Sequence, residues 1–456
     1  MSTPTAYAGP AGSPRDTRGR AGYLDPASAP IQVAEIELEA PVSVRRAATD
    51  PSTDAPGPFQ GRVLALVRLH GHPLGMVTAD IADPRRAAEA LADAARRELA
   101  DAVAEHLAAD QVDGSTAPGF PPPCVRRRLG VLAHPPMISV VVATRERPQQ
   151  LARCLDSLLR LPYPRRELIV VDNDPVTDET ERLVRGLFGD DVIYLREPRR
   201  GLANAHNCGL AAARGRIIAF TDDDVVVDRD WLAAIAEGFG ADGNVGCVTG
   251  LIVPAELETP AQVMLEAHGG FAKGYAWTHR SPGRSGGDPL FPFTAGRLGS
   301  GANMAFSAAL LRELGGFDPA TGVGSAARGG DDLLAFFRTV AAGYGIVYQP
   351  AAIAWHHHYR TFEALENQAY GYGVGLSAYL TAAIAREPHM LPALLRRLPR
   401  GIAYAIALSR TADHTEGYEG DGWPRRLSAA RRRGLLHGPF AYAKSRWQVR
   451  EAERAR

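Results

Sequence analysis

A chain of 456 residues, 45% apolar and 22% charged, is long enough for two or three domains and has the composition of an ordinary globular protein. Its 51 basic and 51 acidic residues cancel, which excludes a global electrostatic attraction to nucleic acid or to an acidic polymer. The four cysteines, Cys124, Cys154, Cys208 and Cys247, include no CxxC pair, which argues against a zinc knuckle or disulfide framework and for a reducing compartment.

Residues 1–30 are rich in Ala, Gly, Pro and Ser and predict a disordered leader, with no basic-then-apolar signal pattern. A small accessory α+β unit is expected over 31–123. "IQVAEIELEA" alternates like a strand, and "GRVLALVRLHGHPLGMVTADI" reads as two strands around a turn. "PRRAAEALADAARRELADAVAEHLAAD" follows with helical apolar spacing and predicts one helix. No constellation of reactive groups is legible here, so the expected role is accessory or docking. "DGSTAPGFPPPC" marks a linker near Pro123.

From Met137 strands and helices alternate. "ISVVVAT", "ELIVVDND", "VIYL" and "RIIAFTDDD" are strand-like, and "PQQLARCLDSLLR", "DETERLVRGLF" and "ANAHNCGLAAARG" are helix-like. Repeated units of this kind with uninterrupted Val and Ile runs predict an α/β, Rossmann-like, mostly parallel sheet with helices on both faces. Ligands of such sheets bind beyond the carboxyl ends of the strands. "TRER", "DND" and "DDD" fall there. After His358 the pattern turns helical over 359–456. Between Arg396 and Arg456, 14 Lys and Arg face 6 Asp and Glu, a net charge of +8. Such a tail is a solvated helical surface or an attraction to anionic lipid headgroups. No apolar run reaches bilayer length, so the expected location is cytoplasmic, with peripheral contact at the inner face of the cell membrane left open.

Three successive carboxylates, Asp222 to Asp224, at the end of a buried strand repel one another and call for a cation. A nucleotide diphosphate leaves only when its charge is neutralised, and Mg²⁺ or Mn²⁺ held by carboxylates does this. One Asp would suffice to cap the helix that follows.

The ordered motifs "ISVVVATRERP", "ELIVVDND", "GLANAHNCGLAAARG", "IIAFTDDD", "GSGANMAF" and "GGDDLLAFFR" resemble those of family 2 glycosyltransferases of the inverting GT-A fold, over about Met137 to His358. The resemblance implies a metal-binding pair in Asp222 and Asp224, with Asp223 near the donor ribose or sugar. It implies nucleotide contacts from Thr144, Arg145, Asp172 and Asn207, and a donor and acceptor pocket lined by Gly301, Ala302 and Asn303. Asp332 becomes the catalytic base and Asp331 an acceptor contact. The three histidines of "AWHHHYR" suggest His356 as a further metal ligand. The implied partners are a nucleotide-diphosphate sugar and an acceptor hydroxyl, the implied cofactor is Mn²⁺ or Mg²⁺, and no nucleic acid is involved.

Two departures touch nucleotide recognition. His206-Asn207 stands where many members carry Arg-Asn, and Thr144-Arg145 where Tyr-Asn is frequent. Two rival readings are a nucleotidyltransferase on a related sheet and a non-catalytic nucleotide-sugar binder. The first would show a Gly-rich triphosphate loop, which "TRERPQQ" lacks, and the second a broken set of acids, which is complete here. "YGYGVG", Tyr370 to Gly375, reads as helix packing in preference to a platform for a sugar. Between about Pro254 and Leu298 the Gly- and Pro-rich sequence leaves donor sugar and acceptor open.

Overall fold

The structure, a computed structural model, describes residues 24–48, 58–112, 121–241, 243–397, 399 and 423–454. Of the expected disordered leader, residues 1–23 lie outside the described residues, whereas 24–30 are structured, with a short turn of helix at Pro26–Ser28 and Leu24 buried against the core sheet. The α/β core is present as a nine-stranded sheet in the order β11-β13-β10-β12-β8-β5-β6-β7, with β9 joined to β13. Its parallel half consists of β5 (Ile138–Thr144), β6 (Arg166–Asn173), β7 (Val192–Glu197) and β8 (Ile217–Asp222). The other half is mixed. β10 (Val245–Pro254) and β13 (Gly345–His356) are parallel, while β9 (Val225–Val227), β11 (Thr278–Arg280) and β12 (Asn303–Ser307) run antiparallel to their neighbours.

Every residue of β5 is buried, because helices cover both faces of the sheet. Val140 and Val142 pack under α4 (Pro148–Leu159) and α7 (Trp231–Phe239). Val141 faces the other way, toward α6 (Leu202–Ala212) and α10 (Asp331–Ala341). That two-sided burial is why the strand shows no polar alternation.

The N-terminal unit is a four-stranded sheet, β2-β1-β3-β4, formed by β1 (Gln32–Glu37), β2 (Ser43–Arg46), β3 (Gly61–Leu69) and β4 (His72–Ile81). Its expected single helix is two, α1 (Ala87–Glu98) and α2 (Ala100–Val112), broken at Leu99. The break lets the Leu99 side chain fill the space over Gly75, where a Cβ would meet it at 2.7 Å. Val63, Ala65 and Val67 of β3 pack under α1. Leu64 and Leu66 point the opposite way and join Val226, Leu251, Val253, Ile353 and Trp355 of the core sheet. Each fully buried Leu of that seam contributes about 1.5–3 kcal/mol.

Charge closes the same seam. Arg68 Nη1 lies 2.6 Å from Asp228 Oδ2 and 3.2 Å from Glu35 Oε2, all three side chains being buried. Burial opposes charge on Arg68 and Asp228, yet each partner prevails: Arg68 is held above its ordinary pKa and Asp228 below. Removing one member of such a set costs about 3–5 kcal/mol, because it strands the others. α3 (Pro123–Ala133) adds a second tie, Arg128 Nη1 to Asp230 Oδ2 at 3.0 Å, at the start of α7.

Toward the C-terminus, α11 (Phe362–Arg386) and α12 (Trp423–Arg454) pack through glycine. A Cβ on Gly373 would fall into the Arg431 backbone, and one on Gly434 into that of Tyr370. The "YGYGVG" stretch thus serves helix packing, as its sequence suggested. Tyr379, Phe337 and Tyr442 lock α10, α11 and α12 together.

Candidate active site

Strand register gathers the acids at one sheet edge. Thr144 pairs with Asp172 across β5 and β6, and Ala143 with Asp222 across β5 and β8. β8 then turns through Asp223 and Asp224 into β9, whose first residue, Val225, pairs with His356. β12 runs antiparallel to β8 with Asn303 opposite Thr221, which brings Gly301 and Ala302 beside Asp222. α10 begins at Asp331 on the same side.

Within this edge each carboxylate has a distinct neighbourhood. Asp223 is buried and accepts from Thr144 Oγ1 at 2.7 Å and from Arg147 Nη1 at 3.3 Å. Burial, then Asp224, push its pKa up to about 6 against the pull of Arg147. Asp222 is pushed well above the carboxylate range, first by burial and then by Asp224, Asp223, Asp331 and Asp332. Arg147, absent from the sequence-derived set, reaches Asp224 Oδ2 at 3.4 Å as well. Burial works against its charge, but Asp223 and Asp224 raise its pKa above the usual value. One guanidinium does not balance three carboxylates.

The most telling pair is Asp224 and His356. Asp224 Oδ1 is buried with no hydrogen-bond partner and lies 3.5 Å from His356 Nε2. His356 Nδ1 is 2.8 Å from His358 Nδ1, and His358 Nε2 is 2.7 Å from Glu266 Oε1. Glu266 Oε1 accepts from His358 Nε2, and one of the two facing Nδ1 atoms donates to the other. Burial holds the His356 pKa down to about 4. Asp224 Oδ1 and His356 Nε2 thus face each other as two potential metal ligands, with His358 and Glu266 behind the imidazole. A second partner fixing the ligating imidazole is the usual support of such sites.

Asp332 lies in the first turn of α10. Its Oδ2 accepts from Gly301 N at 2.9 Å and its Oδ1 from Leu333 N at 2.8 Å. Burial and then Asp331 push its pKa up to about 6. Asp331 is buried, and its Oδ2, without a hydrogen-bond partner, lies 3.6 Å from His206 Nδ1. Phe220 and Phe317 hold the His206 ring at 4.9 Å centroid distance each. Gly329 and Gly330 run directly into α10.

Asp172 is fully buried, with Oδ2 accepting from Tyr194 OH at 2.8 Å and Oδ1 unpartnered. Arg145 pairs with Asp174 at 3.1 Å beside it. Two candidates are not brought to the cluster, and each is a correction to the pattern-based set. Asn207 spends its amide on the backbone N and O of Phe317, at 2.8 Å each. Asn303 is buried in the core, where it donates to the Leu251 and Ala352 carbonyls and accepts from Trp231 Nε1. Both are knots between chain segments.

A separate cluster lies outside this edge. The N-terminal unit, read as carrying no reactive constellation, brings His70, His106, Asp110 and Cys124 together. Their spacing in sequence hides this, since three different elements supply them. The one local signal is His106 and Asp110 four residues apart on one helix face.

Comparison with known proteins assigns one segment of the chain to a family. The sequence pattern described as "Glycosyl transferase family 2" matches residues 139–314. That segment belongs to glycosyltransferase family 2. It spans Thr144 through the three aspartates to Asn303, and Asp331, Asp332 and His356 follow it. Among curated relatives, the pre-mycofactocin glycosyltransferase of Mycobacterium tuberculosis is 27% identical over 58% of this chain and 50% of its own. The glucosyl-dolichyl phosphate glucuronosyltransferase of Haloferax volcanii is 26% identical over 41% of this chain and 57% of its own. The chain thus spans about half the length of these two relatives. A solved structure that it resembles is a mannosyltransferase from Pyrobaculum calidifontis, in complex with GDP-Man and Mn²⁺. That match has 21% identity and a TM-score of 0.44, over 66% of this chain and 87% of that one.

Proposed function

We propose that this chain is a metal-dependent, inverting glycosyltransferase that moves a hexose-type sugar from a nucleotide diphosphate to an acceptor hydroxyl. The observation that carries the reading is the Asp224–His356 pair, a buried carboxylate oxygen without a hydrogen-bond partner 3.5 Å from an imidazole nitrogen, beside a base-like Asp332. Asp222, Asp224 and His356 carry the carboxylate and imidazole donors that would hold a Mn²⁺ or Mg²⁺ ion, which when bound would stabilise charge on the departing diphosphate. Asp172 Oδ1, buried and without a partner, is available to a base N–H. Asp332 takes the proton of the acceptor hydroxyl, and the Gly301 and Leu333 amides keep its carboxylate aimed. A single base opposite the leaving group gives displacement with inversion.

Calorimetric titration with UDP, GDP, dTDP and their sugars, with and without Mn²⁺, tests this. One nucleotide should bind tightly only with metal, and the glycoside formed should carry the opposite anomeric configuration by NMR. Metal-independent binding, or a retained configuration, would overturn the reading.

The acceptor side is proposed to work at a membrane surface. No helix among the described residues is long and apolar enough to cross a bilayer. On α12, however, Leu436, Phe440 and Trp447 are 78%, 75% and 63% exposed and lie along one stripe at helical spacing. Arg432, Arg433, Lys444 and Arg450 flank it. An apolar stripe between basic flanks suits an anionic lipid interface. Full-length protein should sediment with vesicles containing anionic lipid and less with zwitterionic ones. Phe440→Glu with Trp447→Glu should cut that binding at least about tenfold, since burial of two aromatics exceeds 1.4 kcal/mol.

A further inference from the structure

The four side chains gathered in the N-terminal unit have the geometry of a metal centre. His70 lies in the turn between β3 and β4, His106 and Asp110 on α2, and Cys124 at the start of α3. His70 Nδ1 is 3.1 Å from Asp110 Oδ2 and 3.2 Å from His106 Nε2. Cys124 Sγ is 3.1 Å from Asp110 Oδ2, 3.7 Å from His70 Nδ1 and 3.8 Å from His106 Nε2. The sixth edge, His106 Nε2 to Asp110 Oδ2, is 3.6 Å. Four donor atoms with all six separations between 3.1 and 3.8 Å outline a small tetrahedron. Bonds of roughly 2.0–2.2 Å to N and O and about 2.3 Å to S produce edges of that size.

The support around the four is built for them. His70 has a φ of +55°, a left-handed conformation uncommon for any residue with a side chain. Glu37 secures the turn by accepting from the backbone N–H groups of His70 and Gly71, at 3.1 and 2.9 Å. Asp110 uses its other oxygen, Oδ1, to accept from Cys124 N at 3.1 Å, so it orients α3 while leaving Oδ2 in the cluster. Asp110 and Cys124 are buried, and the two rings half-buried.

We propose that His70, His106, Asp110 and Cys124 bind one Zn²⁺ in a closed, structural site, distinct from the metal proposed at Asp222 and Asp224. A thiolate and two imidazoles in tetrahedral array select zinc over Mg²⁺ or Mn²⁺, which prefer all-oxygen octahedra. Four protein ligands leave no open position for a substrate. Cys124 binds as the thiolate, and its proton passes to solvent. The ion would staple the β3–β4 turn, α2 and α3 together. Arg68 precedes that turn by two residues and ties to Asp228, while Arg128 on α3 ties to Asp230, so the staple stiffens the platform just beyond the three aspartates.

The full-length protein, purified without chelator, should contain one zinc per chain by elemental analysis. Asp222→Asn/Asp224→Asn should keep that zinc, and Cys124→Ser/His106→Asn should lose it. Replacing zinc by Co²⁺ in the wild type should produce the intense visible bands of tetrahedral cobalt with a thiolate-to-metal transition in the near ultraviolet, a signature that needs no folded variant. Stripping the metal should lower Tm, and Zn²⁺, but not Mg²⁺, should restore it. Absence of zinc together with an octahedral, thiolate-free cobalt spectrum would overturn the proposal. So would zinc that leaves with the Asp222 and Asp224 carboxylates.

Discussion

Replacing Asp332 by asparagine is expected to cut turnover by about 10²- to 10⁴-fold, the range of a lost general base, while the affinity for the donor nucleotide stays within about twofold. The argument starts from the hydrogen bonds. Each Asp332 oxygen already accepts one backbone N–H, from Gly301 or from Leu333, and each keeps a free lone pair for the acceptor proton. Asparagine offers only one acceptor oxygen, so one of those amides loses its partner at a cost of about 1–3 kcal/mol. A modest fall in Tm is therefore part of the prediction, and nucleotide titration separates it from lost chemistry. The base must be ionised to act. With its pKa pushed up to about 6 by burial and Asp331, the wild-type rate should fall as pH drops through 6 and level off above it. The Asn variant should lack that limb. Unchanged turnover in Asp332→Asn would remove Asp332 from the base role.

The strand ends were legible because burial on both faces forces an uninterrupted apolar run to stop where polar chemistry starts. "IIAF" ends at Thr221 and the acids begin there, and the same break marks Thr144 and Asp172. The antiparallel entry of β12 was not legible. Five residues carry no periodicity that separates strand direction, and only pairing with β8 and β10 defines it. That pairing turns the Asn303 side chain into the core, although its motif reads as pocket lining. Asn207 misleads for a similar reason: a polar residue on a helix looks ligand-facing until its partner, 110 residues away, is known.

β3 illustrates the opposite error. "VLALV" looks like a strand of a small autonomous sheet, yet both its faces are buried, one under α1 and one against the core sheet. The accessory unit is therefore packed onto the sheet that carries the site. Its histidines, aspartate and cysteine escaped notice because metal-ligand spacing is diagnostic only when ligands are local. Here 54 residues separate the first ligand from the last. Arg147 escaped because a basic residue after a strand is common, and only the fold shows that it touches two of the three aspartates.

Converting Asp222 and Asp224 together to asparagine should abolish metal-dependent nucleotide binding and, in the same molecule, raise Tm measured without metal. The first half follows from the ligand set, since Asn offers a neutral oxygen where a divalent cation needs charge. The second half follows from repulsion. Burial and four neighbouring carboxylates raise the Asp222 pKa well above the carboxylate range. A carboxylate whose folded pKa is raised opposes folding at neutral pH, and that cost is relieved only as pH falls through the folded value. A neutral isostere relieves it at every pH. Asp223 should stay in place, because Thr144 and Arg147 hold it independently of a metal. Mn²⁺ should then raise Tm in the wild type and leave the double variant unmoved, so the two melting curves approach or cross as metal is added. A variant that still binds nucleotide with metal would displace the ion from these aspartates. A variant that melts lower without metal would mean that the three acids are balanced by the protein itself, and the unpartnered Asp224 oxygen beside His356 would need another partner.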